Sequence, residues 1–367
     1  MAIRTAHSTK PLLEAIEDLK NQGKGIDPKA LVLFASTKYD LSTLGGEMQK
    51  AYPGAQIVGC STAGELVADQ MLDGSVVAMF LDGDHVDDVA TVLLTGLGDQ
   101  SQIEKALGAL GEHFGTPASE LDFEQYVGLI LIDGMSAAEE RIMDRIGDLT
   151  DVAFIGGSAG DDLKFKTTHV LADGRVSDGA AAIMLLRLRN GFEILKTESF
   201  KPTGKKLIAT KVDEAHRHVI EFNGRPATQA YAGALGIPEA ELDKHFSDHP
   251  VGLMVGDEPF VRSPQRIEGS TIYFYCQIKE GMELEILEGT DIVSATREAL
   301  ERKRNELGQI GGLIQFNCIL RTLELKAEGR CGDYGAIFSG IPSVGFSTYG
   351  EEYLGHINQT STMLLLR

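Results

Sequence analysis

Two copies of one eight-residue string constrain this chain more than any other feature. Val58-Gly59-Cys60-Ser61-Thr62-Ala63-Gly64-Glu65 and Val344-Gly345-Phe346-Ser347-Thr348-Tyr349-Gly350-Glu351 differ only at Cys60/Phe346 and Ala63/Tyr349. Each copy closes a similar unit: an apolar strand, a connecting segment, a second short apolar strand, then the polar turn. The outer strand is Leu31–Ala35 in the first copy and Leu313–Asn317 in the last. A weaker third copy lies between them, where Val127–Ile132 leads through a helix to Phe154-Ile155-Gly156-Gly157-Ser158-Ala159-Gly160-Asp161. Such self-similarity means duplication, and duplication sets the architecture.

The repeated turn places hydroxyls and a carboxylate where a buried strand leaves the core. Its glycines allow positive φ or close backbone approach. In open α/β sheets, strand ends are where small ligands bind, because backbone N–H groups and short polar side chains converge there. Taken singly, Ser61, Thr62, Ser347 and Thr348 are better explained as caps of turns or helix starts. The pairing of whole strings points to a shared site, with Glu65 and Glu351 expected as exposed turn carboxylates. Loss of such a group costs within about 0.5 kcal/mol.

At 367 residues the chain has room for two domains or a duplicated pair. Its net charge of −20 argues against nucleic acid and against docking on an anionic membrane. No apolar run is long enough to span a bilayer and the start has no signal-like segment, so a cytoplasmic protein is expected. Cys60, Cys276, Cys318 and Cys331 are far apart in sequence, which suggests neither a zinc ribbon nor a disulfide framework.

Along the chain, apolar spacing predicts helices near Pro11–Gln22, Ile103–Phe114 and Thr290–Leu307. Ser75–Leu81 and Val86–Leu94, split by Asp82-Gly83-Asp84, read as a hairpin, as do Thr167–Leu171 and Ala180–Leu188 around Asp173-Gly174. Ser136 and Glu139 form the pattern of a capping box. Pro202–Lys211 breaks the pattern and is the candidate boundary. The fold class expected is mixed α/β: partly antiparallel sheets with packed helices, in two related halves carrying an internal pseudo-repeat and packed about a pseudo-twofold axis. The expected division is 1–27, an N-terminal helix and lead-in, then 28–210 and 211–367.

Gly156-Gly157-Ser158-Ala159-Gly160 matches the nucleophile elbow of α/β hydrolases literally, but no helix follows Ser158 and the sister turns have another spacing. A hydrolase is therefore the second reading and a non-catalytic protein the first. His216 and His218 share a strand face without a third ligand at a suitable spacing. His356, just past the second octet, stands where polar groups already gather, and His249 is a second candidate.

The first octet resembles the signature of the FIST N-terminal domain. Gly345–Glu351 followed by Asn358-Gln359-Thr360 resembles that of the FIST C-terminal domain. The resemblance implies an intracellular signalling module that senses a small ligand, amino acids having been suggested for the family, and makes the two halves FIST domains. Asn317-Cys318-Ile319-Leu320-Arg321, His249-Pro250 and His356–Thr360 further resemble stand-alone bacterial members described as haem-based nitric-oxide sensors. Those act in trans on a histidine kinase or a cyclic-di-GMP enzyme, so such a partner is implied here. Haem itself rests on that likeness alone, with His356 as its expected ligand and His249 in reserve. The residues expected to line a pocket between the halves are Ser61, Thr62, Glu65, Ser347, Tyr349, Glu351 and Asn358, with Arg321 countering an acidic group on the ligand.

Overall fold

The computed structural model describes residues 3–172 and 174–367. The first unit runs β1 (Arg4–Ser8), α1 (Leu12–Gln22), β2 (Pro28–Ser36), α2 (Leu41–Ala51), β3 (Gln56–Thr62), the hairpin β4 (Glu65–Val67) and β5 (Gln70–Leu72), then β6 (Val76–Asp82). The second repeats this order: β7 (Val86–Thr95), α3 (Gln100–Phe114), β8 (Tyr126–Ile132), α4 (Glu139–Leu149), β9 (Phe154–Ser158), the hairpin β10 (Val170–Ala172) and β11 (Arg175–Ser177), and β12 (Ala180–Leu188).

The third unit opens with β13 (Phe192–Glu198) and is interrupted by an insertion. The insertion comprises β14 (Phe200–Asp213), β15 (His218–Phe222), β16 (Arg225–Pro226), α5 (Ala227–Leu235), β17 (Val251–Val255), β18 (Glu258–Arg262), β19 (Pro264–Glu268), β20 (Thr271–Phe274) and β21 (Glu283–Gly289). The unit then resumes with α6 (Ile292–Leu307), β22 (Gly312–Cys318), α7 (Ile319–Ala327), α8 (Cys331–Gly335) and β23 (Ser343–Thr348). It ends in the hairpin β24 (Glu351–Tyr353) and β25 (His356–Ile357), and β26 (Thr360–Leu366).

Each unit builds a sheet around one parallel pair: β2 with β3, β8 with β9, β22 with β23. The long closing strand and the opening strand of the same unit lie antiparallel on one side. On the other side lies a hairpin borrowed from another unit. The second unit's β10 joins β3, the third unit's β24 joins β9, and the first unit's β4 joins β23. This exchange is cyclic, so the packing is pseudo-threefold. The weak middle copy of the repeat is a full partner, which corrects the expected pseudo-twofold arrangement.

The parallel strands read as nearly unbroken apolar runs because both their faces are buried. Alternate residues of all three sheets, among them Val32, Phe34, Val58, Leu129, Ile155 and Phe316, meet in one shared core. Cys60 and Phe346, at one of the two positions where the octets differ, also point into it. Phe346 stacks obliquely on Phe34, with ring centroids 4.7 Å apart. The opposite faces pack on each unit's own helices. The insertion has a separate core.

The first glycine of each repeat has the same physical cause. A Cβ on Gly59 would lie 2.2 Å from the Leu33 carbonyl oxygen, on Gly156 1.7 Å from that of Ile130, and on Gly345 2.3 Å from that of Gln315. Each carbonyl belongs to the directly paired residue of the neighbouring parallel strand. No side chain fits there.

Several local expectations change. β6 and β7 are not hairpin partners: β6 pairs with β1 and β2, whereas β7 joins β12 in another sheet. The hairpin after Gly160 is the short β10–β11 pair, and Ala180–Leu188 belongs to the second sheet; Asp173, in its turn, lies outside the described residues. Ser136 does not cap α4, since its hydroxyl donates to the Asp133 carbonyl and Glu139 turns inward. Pro202–Lys211 lies within β14, whose register shifts against β21 between Pro202 and Lys206 and against β15 between Ala209 and Lys211.

Candidate functional site

The three polar turns meet and bond to one another through their backbones. Ser347 N–H donates to the Gly64 carbonyl (2.8 Å), Ser158 N–H to that of Gly350 (2.9 Å), and Gly160 N–H to that of Ser61 (2.9 Å). The octets therefore make contact, and much of their polarity is consumed in holding the units together.

Glu65 and Glu351 are buried rather than exposed, at 1% and 0%. The same three-sided box surrounds each. The Thr62 hydroxyl donates to Glu65 Oε1, while Ser75 donates its N–H (2.9 Å) and hydroxyl (2.5 Å) to Oε2. For Glu351 the donors are the Thr348 hydroxyl (2.5 Å) and the N–H (3.1 Å) and hydroxyl (2.6 Å) of Thr360. Burial outweighs these bonds and pushes both carboxyls up to about 7. Neither is the exposed turn carboxylate that the octet pattern suggested.

The carboxyl ends of β2 and β3 open on a cavity of about 770 Å³, whose lining includes Ser61, Thr37, Asp40, Lys166, His169 and Asp178. One wall is the start of α2, where Asp40 accepts from Thr43 N–H (2.7 Å). The other is the lengthened turn of the second unit. In it the Asp161 carboxylate accepts from the N–H groups of Phe165, Lys166 and Thr167 and from the Tyr349 hydroxyl (2.6 Å). Burial would raise this carboxyl, but those donors hold it below the usual range. Asp162, Leu163 and Phe165 all take positive φ, a strained run for residues other than glycine. Asp162 ties it to the first unit by accepting from Thr37 N–H (3.1 Å) and the Ser36 hydroxyl (3.1 Å).

Of the residues expected to bind ligand, Ser61 lines this cavity and accepts from His169 N–H (2.9 Å). Tyr349 buttresses the lengthened turn from behind, stacking on Phe165. Thr62 serves the Glu65 box, and the Ser347 hydroxyl meets that of Thr322 (2.8 Å). Asn358 is buried against the insertion, with its N–H directed at the Val261 carbonyl (3.3 Å). Lys166, His169 and Asp178 escaped sequence reasoning. The available signal was the departure of the middle copy after Gly160.

His356 lies in a second polar cluster, between the second unit and the insertion. Its Nδ1 is 3.1 Å from Glu352, with both side chains at most 1% exposed. Ser158 donates its hydroxyl to Glu139 (3.0 Å) and Glu352 (3.2 Å). Arg217 of the insertion bonds Glu139 (2.6 Å) and Glu140 (2.5 Å). Burial alone would lower the His356 pKa, but Glu352, Glu140 and Glu139 outweigh it and hold the imidazole protonated up to about 9. Ser158 is fully buried and its hydroxyl is bonded to the carboxylates of Glu139 and Glu352, with His356 bonded to the same Glu352 rather than to Ser158.

These surroundings do not fit haem at His356. The ring is buried, closed off by Glu352 on one side and by Gly350 on the other, where even a Cβ would lie 2.0 Å from its Cε1. A protonated imidazole between carboxylates offers no lone pair to iron. His249 lies elsewhere, its Nδ1 3.0 Å from the Leu287 carbonyl, in a groove of about 450 Å³ rimmed by Lys205 and Glu288. Pro202, Leu235, Ile237 and His245 also line that groove. Among the described residues, no cluster of three or more His, Cys, Asp or Glu could hold a metal ion.

The FIST N domain matches residues 29–225 and the FIST C domain residues 227–353. The chain belongs to the FIST family, and its two tandem domains are of the kind associated with sensing in signal transduction. It is 22% identical over 319 residues to the uncharacterized protein MJ1623 of Methanocaldococcus jannaschii, an alignment covering 79% of this chain and 60% of that protein. Among the described residues no helix is long and apolar enough to cross a membrane.

Proposed function

We propose that this chain is a non-catalytic sensory protein that binds a small amino-acid-like metabolite at the carboxyl ends of β2 and β3. The occupied or empty state is then passed to a separate signalling enzyme, a histidine kinase or a cyclic-di-GMP enzyme. The observation that carries this is the cavity of about 770 Å³. It offers a cation (Lys166), an imidazole (His169) and carboxylates (Asp40, Asp178) on one lining, as a zwitterion needs. Because the lengthened turn touches the first unit through Asp162 and the third through Tyr349, a ligand that shifts the turn alters contacts between units.

The test is a thermal-shift and calorimetric screen of amino acids and related zwitterions against wild type, His169→Ala and Lys166→Ala. A compound should stabilise wild type and bind at least about tenfold more weakly to each variant, the loss of one charge-assisted hydrogen bond. Binding that survives both substitutions unchanged would place the ligand elsewhere, and silence across the screen would remove the metabolite reading.

A further inference from the structure

We propose that Arg321 forms a small-anion site inside the third unit, separate from the cavity described above and independent of what that cavity binds. Arg321 lies in the first turn of α7, at the carboxyl end of β22, and is 1% exposed. Its Nε donates to Asn317 Oδ1 (3.0 Å) and its Nη2 to the Thr296 hydroxyl (2.9 Å). Both acceptors are neutral. The Tyr334 ring stands 5.8 Å from the guanidinium carbon. The described ion pairs include none at Arg321: Glu324, one turn along α7, acts on it through space without a hydrogen bond, and the buried Nη1 has no hydrogen-bond partner.

A guanidinium stays charged at any pH at which the protein folds, so it cannot escape burial by losing its proton. Burying it without a counter-ion carries a penalty that neutral hydrogen bonds offset only in part. The third unit's arginine thus contrasts with Arg217, which is less enclosed, at 18% exposed, and yet gripped by Glu139 and Glu140. A missing negative charge at Nη1 is the simplest completion of the site. The positive end of α7 favours the same occupant, since Cys318 supplies no side-chain cap there. Because the surroundings are closed, the anion must be small: a halide, or a carboxylate no larger than formate. Direct pairing with a guanidinium suits either.

Bromide is the probe. Crystals of the full chain soaked in sodium bromide should show an anomalous peak within hydrogen-bonding reach of Arg321 Nη1. In solution, wild type should melt several degrees higher in sodium bromide than in sodium gluconate of equal ionic strength, as expected when a ligand binds only the folded state. Arg321→Met should lose that difference and, in gluconate, melt no lower than wild type, because the unpaired charge has gone. Sodium formate in place of bromide separates the two sources, raising the melting temperature only if a carboxylate is accepted. A water alone at Nη1, or an Arg321→Met variant with the wild-type anion response, overturns the proposal. If Arg321→Met does not fold, the bromide map alone decides.

Discussion

Replacing Glu65 or Glu351 by Gln should stabilise the protein at pH 8 and leave it nearly unchanged at pH 4.5. Each carboxyl titrates near 7 when folded, against an ordinary value of 4.5. The folded state therefore favours the protonated acid. Stability from this preference is complete below about 4.5 and is lost as pH rises through 7. The gap of about two and a half pH units corresponds to about 3 kcal/mol for each group. Gln reproduces the protonated acid: its amide N–H₂ can donate to Thr62 or Thr348, and its carbonyl can accept from Ser75 or Thr360. Glu65→Ala should instead cost about 2–4 kcal/mol at pH 4.5, because it strands the buried Thr62 and Ser75 donors and leaves a cavity, and the cost should shrink towards pH 8 as wild type loses the preference for its protonated acid. Urea denaturation of wild type and both Gln variants at pH 4.5, 6 and 8 measures this. A residual loss above pH 7.5 is expected in all of them, since the stabilising charge on His356 disappears as pH rises through about 9. Identical pH slopes in wild type and both Gln variants would refute the buried-acid reasoning.

Two further outcomes follow from the geometry. Arg217→Ala leaves the buried Glu139 and the partly buried Glu140 without their partly buried cation and should destabilise by about 2–4 kcal/mol. Limited proteolysis should then cut preferentially within 200–289, because the insertion loses this anchor to the second unit. Gly156→Ala drives a Cβ into the Ile130 carbonyl and should cost at least about 3 kcal/mol in chemical denaturation, whereas Gly147→Ala, on open helix surface, should be neutral or slightly stabilising.

The sequence by itself determined the repeating unit. Apolar runs marked the parallel strands because both their faces are buried, and the repeated glycine marked where strand meets strand too closely for a Cβ. It also marked Ser61 as a strand-end residue, and the departure after Gly160 as the place where one copy differs. Local pattern could not show which hairpin pairs with which strand. β4, β10 and β24 each leave their own unit for another's sheet, and nothing within a short strand names a distant partner. Burial was equally out of reach. Glu65 and Glu351 carry the formula of exposed turn acids, yet the exchange of hairpins encloses them, and His356 becomes a protonated bridge only because Glu352, Glu139 and Glu140 arrive from separate segments. Residue type and spacing record what a segment can do locally. Which charges end up sharing one dry volume is a property of tertiary packing alone.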